Sequence, residues 1–188
     1  MPTHIALLRG INVGGRNRVA MADLREVVLG LGYTDVATYI QSGNVVFTSE
    51  EADTAMIAAA LEGAVAEHLG VRPKVVVLTH AELARVVADN PFPEEPNPRW
   101  VHAIFRNGPL GPDELAAVAA AQQRARDQAS DHEARVVGNT LFLHTPGGLG
   151  RSELAARLLR LGGSRTAEPA GTARNWATVN KLLALCDG

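Results

Sequence analysis

The segment DVATYIQSGNVVFTS, from Asp35 to Ser49, decides the fold because it contains two strand-like runs joined by a tight turn. Residues that favour strands, mainly β-branched and aromatic ones, dominate both runs. Ser42-Gly43-Asn44, between the runs, has the composition of a hairpin turn. The sequence therefore predicts an antiparallel pair of strands here.

The regions on either side of this hairpin each predict one strand and one helix. Before it, a strand at His4–Arg9 is followed by a helix from about Met21 to Leu31, which Gly32 ends. After it, a helix from about Asp53 to Leu69 is followed by a strand from Lys74 to Thr79. The order βαββαβ is that of the ferredoxin-like split βαβ arrangement, in which strands one and two are parallel and strand three lies between them.

The second half of the chain repeats this pattern weakly. A connecting helix from about Ala81 to Asp89 and the proline-rich segment NPFPEEPNP lead to the strand WVHAIFR. A helix from about Asp113 to Asp127, a hairpin at Gly138-Asn139 and a helix opening at Ser152 then follow. Where a fourth strand is due, the chain reads GGSRTAEPAGTA and then the helical RNWATVNKLLAL, so we expect the second copy to lack that strand.

These elements predict an α+β protein of two ferredoxin-like halves related by weak internal duplication. Each half is expected to have an antiparallel sheet with helices on one face, and an extra helix ends the chain. The halves span residues 1–80 and 100–188, with a connecting helix and linker at 81–99. Trp176 and Cys186 fall on the apolar face of the last helix and are expected in the core.

Composition and charge limit the classes of function. With 46% hydrophobic and 20% charged residues and a net charge of -2, the chain has an ordinary globular composition and no general positive field. The single cysteine excludes a disulfide framework, and no apolar run approaches the roughly 18 residues of a membrane span. We expect a soluble, cytoplasmic protein without a membrane partner.

The motifs RGINVGG, YIQSGNVVF, GLGRSEL and TARNWATVNKLL occur in this order along the chain. In this they resemble a bacterial family of proteins of unknown function, DUF1697, and the resemblance covers nearly the full length. The family carries no established activity, so the resemblance supports the predicted architecture and implies no reaction.

The predicted topology brings two polar segments to one edge of the first sheet. Because the first two strands are parallel, the loop Gly10–Arg16 and the turn Gln41–Asn44 should emerge side by side. Glycine backbone there allows a ligand to approach closely. We predict a site for a small polar or anionic ligand, formed by Arg9, Asn12, Gly14, Gly15, Arg16, Gln41, Ser42 and Asn44. The alternative is that the two turns pack together, with Asn12 and Asn44 satisfying loop backbone by local hydrogen bonds.

A second candidate anion site lies at PGGLGRSEL, where a glycine loop leads straight into a helix. A helix N-terminus offers free N–H groups and the positive end of the helix dipole. The candidate residues are Gly150, Arg151, Ser152, Arg174 and Asn175. The alternative is that Ser152 and Asn175 are ordinary helix caps.

Several chemistries lack their sequence signals. Gly10–Asn17 has the glycine spacing of a P-loop, but Arg16 and Asn17 replace its lysine and its hydroxyl residue, so nucleotide hydrolysis is not expected. The histidines show no metal-ligand spacing, and Glu94-Glu95 and Asp113-Glu114 are interpreted as solvated charges. We therefore nominate no catalytic residue, metal or cofactor, and whether the protein is an enzyme stays open.

Two other classes of function, nucleic-acid binding and protein interaction, have candidate residues in the sequence. Ferredoxin-like sheets can bind RNA by stacking bases on aromatic strand residues, and the candidates are Phe47, Trp100, Phe105 and Phe142. Their apolar neighbours and the net acidity favour a buried role, so we do not expect a nucleic-acid partner. The proline-rich segment Asn90–Pro98 is either an interdomain linker or an extended contact for a protein partner.

Overall fold

A computed structural model describes residues 1–161 and 171–188 of the chain. Most of the GGSRTAEPAGTA segment lies outside these described residues. The described chain separates into two compact units, one formed by Met1–Arg85 with Asn180–Gly188 and the other by Val86–Val179. The division falls within helices rather than at the proline-rich segment.

The first unit contains one complete copy of the repeated pattern. Its elements are β1 (His4–Arg9), α1 (Met21–Gly30), β2 (Thr34–Tyr39), β3 (Asn44–Thr48), α2 (Thr54–Leu69), β4 (Lys74–Thr79) and α3 (His80–Ala88). The four strands form one sheet in the order β2-β3-β1-β4. β3 pairs antiparallel with both β1 and β2, so β1 and β2 run parallel, as predicted.

The second unit repeats that topology. Its elements are β5 (Val101–Phe105), α4 (Pro112–Asp127), β6 (Glu133–Val137), β7 (Thr140–His144), α5 (Glu153–Leu161) and β8 (Thr172–Asn175). It also contains the beginning of α6 (Trp176–Asp187), whose residues from Asn180 onward belong to the first unit. The sheet order β6-β7-β5-β8 corresponds strand for strand to the first sheet. The predicted α+β class with two ferredoxin-like halves is confirmed.

The prediction that the second copy lacks its fourth strand is wrong. β8 pairs antiparallel with β5, with Ala103 opposite Arg174 and Ile104 opposite Ala173. The strand has only four residues, and its polar end Arg174-Asn175 passes directly into a helix, so the apolar signal of a strand is weak. Each copy therefore has the full βαββαβ order followed by a helix.

Apolar packing between sheet and helices forms the core of each unit. In the first unit, Leu8 and Phe47 pack with Leu24 of α1 and Leu61 of α2. In the second, strand residues of β5 and β7 pack with α4 and α5 (Ile104, Leu141, Leu143, Val118, Leu154). Residues on the faces opposite the helices are buried as well (Leu7, Val46, Val76, Ala103, Phe142).

The ends of α2 show how local sequence sets helix boundaries. The carboxylate of Asp53 accepts hydrogen bonds from the backbone N–H groups of Ala55 and Met56, which would otherwise lack partners in the first turn. Gly70 ends the helix with a φ of 67°, a left-handed conformation that glycine adopts without steric cost. The helix therefore begins and ends where the sequence predicts.

The predictions for the last helix are also confirmed. Trp176 and Cys186 are buried, and the Trp176 ring lies 6.0 Å from that of Phe142. Burial, reinforced by the nearby Asp187, raises the pKa of the Cys186 thiol to about 11. A thiol with such a pKa is a poor nucleophile near neutral pH.

Candidate functional site

The loop between β1 and α1 is a small hairpin rather than a phosphate cradle. Val13 and Arg16 form an antiparallel bridge, in which the Arg16 N–H donates to the Val13 carbonyl at 3.0 Å. Gly14 and Gly15 lie between them with φ angles of 57° and 76°, and positive φ at both central positions is what a type I′ turn requires. These four residues are exposed, so the hairpin presents its tip to solvent.

Asn12 joins this hairpin to the turn between β2 and β3. Its Nδ2 donates to the Val19 carbonyl at 2.8 Å and to the Gln41 carbonyl at 2.9 Å. Its Oδ1 accepts from the Val19 N–H at 2.9 Å. Both amide hydrogens and the oxygen are thereby engaged. The two segments that the topology predicted as neighbours are in contact, and Asn12 is the link.

The turn between β2 and β3 is held by Asn44, which is fully buried. Its Nδ2 donates to the Tyr39 carbonyl at 3.1 Å and to Ser42 Oγ at 2.8 Å. The Asn44 amide therefore fixes the shape of the turn.

Gly43 allows this turn to lie directly on the first loop. Its carbonyl accepts a hydrogen bond from the Leu8 N–H at 2.8 Å. A Cβ atom at this position would lie 2.7 Å from Ile11 Cδ1 and 2.8 Å from Leu8 Cβ. Real Cβ atoms do not approach other atoms so closely, so any side chain at position 43 would separate the two segments.

Backbone in the left-handed region is concentrated in these two segments (Gly10, Asn12, Gly14, Gly15, Asn17, Ile40, Gly43). Ile40 is the unusual member, because β-branched side chains are strongly disfavoured at positive φ and its φ is 48°. Strained conformations of this kind persist only where the surrounding structure enforces them, and they cluster at binding and active sites.

We call the end of the first sheet that carries residues 9–20, 39–44 and 70–74 the loop edge. These ranges contain five cationic residues (Arg9, Arg16, Arg18, Arg72, Lys74) and no Asp or Glu. The acidic residues Asp23, Glu62 and Glu67 belong to the neighbouring helices α1 and α2. At the opposite end, acidic residues predominate (Asp35, Glu50, Glu51, Asp53, Glu82). Although the whole chain has a net charge of -2, the loop edge is basic.

The structure divides the predicted site residues into two groups. Asn12 and Asn44 form hydrogen bonds with loop backbone, which are the contacts that the alternative interpretation predicted. Ser42 accepts from Asn44, and Arg9 is half-buried opposite Lys74 in the strand register. The other predicted residues are exposed (Gly14, Gly15, Arg16, Gln41). Arg18, which is not among the predicted site residues, is also exposed. The segment RNR after the glycines is the feature of the sequence that indicates a second arginine at this loop.

Comparisons with known proteins identify the family. The family model described as "Protein of unknown function (DUF1697)" matches residues 1–142. The chain belongs to this family. A solved structure, conserved bacterial protein SP0830 from Streptococcus pneumoniae, has 24% sequence identity, a TM-score of 0.70 and coverage of 98% of both chains. That likeness shows a shared fold. No protein with curated annotation matches the chain.

At the second candidate anion site of this DUF1697 protein, two side chains act as helix caps. Ser152 Oγ accepts from the Ala155 N–H at 3.1 Å at the start of α5. Asn175 Oδ1 accepts from the Thr178 N–H at 2.9 Å at the start of α6. Gly150 and Arg151 belong to the short 3-10 turn Leu149–Arg151, and Arg151 is exposed.

Arg174, the remaining residue of that candidate site, is buried in β8. It donates to Thr172 Oγ1 at 2.7 Å and to the Ala173 carbonyl at 2.9 Å. Burial lowers the pKa of its guanidinium to about 10, so it remains charged at neutral pH. These two hydrogen bonds run along its own strand.

The interpretation of Glu95 as a solvated charge is wrong. Its Oε2 lies 2.6 Å from His144 Nε2, and its side chain is only 10% exposed. A hydrogen bond from the Asn97 backbone, followed by that from His144, lowers the pKa of Glu95. Phe92 stacks on the His144 ring at 5.2 Å. The proline-rich segment is therefore packed against β7.

Glu114 is likewise paired rather than free in solvent. It lies in the first turn of α4, as predicted, and accepts from the Gly111 N–H at 3.0 Å. Its other oxygen lies 2.7 Å from a guanidinium nitrogen of Arg106, whose side chain is only 3% exposed. This pair attaches the start of α4 to the end of β5.

His102 and His144 do not meet. In the register, His144 lies opposite Val101 and His102 lies opposite Leu143, so the two rings are on opposite faces of the sheet. Within residues 1–161 and 171–188, no group of three or more His, Cys, Asp or Glu side chains is placed to hold a metal ion. In the same ranges, the helices are too short or too polar to cross a membrane.

The aromatic residues proposed for base stacking are mostly inaccessible. Phe47, Phe105 and Phe142 are buried, and Trp100 is half-buried. Stacking on a sheet requires an exposed aromatic face. The three phenylalanines therefore serve the core.

Removing the Asn12 amide tests the link between the two segments. Asn12→Ala is expected to lower the free energy of unfolding by about 2 kcal/mol, because two carbonyls and one N–H lose their partners in a partly buried position. Urea unfolding measures the change, and amide hydrogen exchange at Val19 should become faster. Asn12→Asp keeps the acceptor for the Val19 N–H but turns a carboxylate oxygen toward the Val19 and Gln41 carbonyl oxygens, so it should destabilise the fold as well. Wild-type stability in both variants would contradict a structural role.

Proposed function

We propose that this protein binds a small anionic ligand at the loop edge. The observation that supports the proposal is that Asn12 holds two glycine-containing turns together, so that exposed Arg16 and Arg18 are presented at the basic end of the first unit. Arginine forms paired hydrogen bonds with carboxylate and phosphate groups. The ligand is expected in the cytoplasm, where a chain with one free cysteine would remain reduced.

The ordered backbone of the loop edge favours ligand binding. The hydrogen bonds of Asn12 and Asn44 fix the backbone before a ligand arrives. A site that is already ordered loses less conformational entropy on binding. The conformational entropy that is still lost on binding comes from the arginines, because their long side chains must be immobilised.

A thermal-stability titration tests the proposal. Inorganic phosphate, pyrophosphate and citrate would be added at constant ionic strength, with potassium chloride as the control for general salt effects. A ligand at about 100 times its dissociation constant should stabilise the fold by about 2.7 kcal/mol.

Two variants locate the binding. Arg16→Gln and Arg18→Gln should each remove most of the stabilisation, whereas Arg85→Gln, which changes an exposed arginine of α3 away from the loop edge, should keep it. Equal stabilisation of all three variants would place the anion elsewhere. Absence of any anion-specific stabilisation in the wild-type protein would refute the proposal.

A further inference from the structure

Two exposed aliphatic side chains flank the junction of the loop edge. Val13 is 65% exposed and Ile40 is 50% exposed. Each is the neighbour in sequence of a residue in the Asn12–Gln41 hydrogen bond, whose length is 2.9 Å. The two aliphatic residues therefore lie on adjoining segments.

The strained backbone of Ile40 is the second observation, and contact between its side chain and a bound molecule would explain it. Its φ of 48° is strained for a β-branched residue, whereas glycine or asparagine accepts this region readily. The residue is 50% exposed, so it is not held in this conformation by full burial in the core. An apolar side chain held in this way is explained if it contacts a bound molecule.

Apolar and cationic groups are also adjacent in the small hairpin itself. Val13 and Arg16 are directly opposite in the antiparallel bridge. Cβ atoms of such partners lie about 4.5–5.5 Å apart, so one small molecule can contact both side chains.

We propose that the ligand of the loop edge joins an anionic group to an apolar body. Its carboxylate or phosphate is held by Arg16 and Arg18, and its aliphatic or aromatic part lies on Val13 and Ile40. This inference rests on the proposed anion binding and adds the chemical class of the ligand. The apolar contact surface consists of two side chains, Val13 of the small hairpin and Ile40 of the β2–β3 turn. A surface of this size suits a small molecule such as a medium-chain carboxylate or an alkyl phosphate.

Isothermal titration calorimetry with inorganic phosphate and with butyl, hexyl and octyl phosphate tests the inference. The esters are used at concentrations below those at which they form micelles. Full burial of a methylene group on binding increases affinity about fourfold. A methylene group that contacts the protein on one side only contributes about half of the corresponding binding free energy, so it increases affinity about twofold. The octyl ester has four more methylene groups than the butyl ester, so we expect affinity to rise about 16-fold from butyl to octyl.

Variants separate the apolar contact from the anion contact. Val13→Ser and Ile40→Asn should lose the dependence on chain length and keep the wild-type affinity for inorganic phosphate. Met56→Ser, which changes an exposed apolar residue of α2, should retain the full dependence. Ile40→Asn should also raise the melting temperature, because asparagine tolerates the left-handed backbone. A stabilised variant with weaker alkyl phosphate binding cannot be explained by misfolding.

The results also separate this inference from the proposed function. If phosphate binds at Arg16 and Arg18 with an affinity that does not change with chain length, the apolar contact is wrong and the anion site stands. If neither phosphate nor its alkyl esters bind, both proposals fail. If anionic phospholipid vesicles bind and the monomeric esters do not, the small-molecule class is wrong and the surface meets a membrane.

Discussion

Gly43→Ala is expected to lower the free energy of unfolding by about 3–4 kcal/mol, the largest effect that we predict for a single methyl group in this protein. The new Cβ would lie 2.7 Å from Ile11 Cδ1 and 2.8 Å from Leu8 Cβ. Leu8 Cβ is attached directly to the backbone of the central strand β1, so it cannot rotate away. The φ of 73° adds a conformational cost for any L-residue.

Gly15→Ala is the matched control, because it separates steric overlap from conformational cost. Gly15 has nearly the same φ, 76°, but a Cβ there would meet no atom within 4 Å. Only the conformational cost of about 1 kcal/mol then applies. Denaturant unfolding of both variants measures the difference, and equal destabilisation would show that the close packing of Gly43 on Leu8 and Ile11 is wrong.

Lowering the pH is also expected to decrease the free energy of unfolding strongly, and His102 is the main cause of this decrease. Burial lowers the pKa of His102 from the ordinary value of 6.5 to about 4. Between these pH values the unfolded chain binds a proton that the folded chain does not, so stability is lost as the pH falls through this window. A difference of about 2.5 pH units corresponds to a loss of about 3 kcal/mol by pH 4.

His102→Leu should remove most of that dependence. Urea unfolding at pH 7, 5.5 and 4.5 would show a flatter decline than in the wild type, since leucine does not titrate. In addition, Nδ1 of His102 is buried and has no hydrogen-bond partner among the described residues, so the exchange leaves no partner unpaired there. Burial lowers the pKa of His4 as well, so some acid sensitivity in the same direction should remain. His68→Gln, at an exposed position of α2, should behave as the wild type. An unchanged decline in His102→Leu would contradict the burial of a neutral imidazole.

Much of the fold was predictable because its signals are local. The bounds of β1 and β4 were predicted correctly, since both strands are continuous apolar runs that end at charged or turn residues. The parallel relation of β1 and β2 then followed from the order of the elements, and it correctly predicted contact between Asn12 and the β2–β3 turn. β8 was missed because four residues with a polar end carry too little pattern.

The chemistry of individual side chains was less predictable, because it depends on contacts that are distant in sequence. Glu95 and His144 are 49 residues apart, and no local pattern marks their pairing. The hydrogen bond from Asn12 to the Gln41 carbonyl likewise joins residues that are 29 positions apart. The strained, exposed Ile40 had no signal at all, since an isoleucine beside a strand normally indicates core.

Binding of an anion at Arg16 and Arg18 is most directly tested by nuclear magnetic resonance of the ¹⁵N-labelled protein during titration with inorganic phosphate. We predict saturable shifts of the amide signals confined to residues 10–18 and 40–44, and their loss in a protein carrying both Arg16→Gln and Arg18→Gln. Amide signals of these residues that do not move, or shifts of equal size in the double variant, would contradict an anion site at the loop edge.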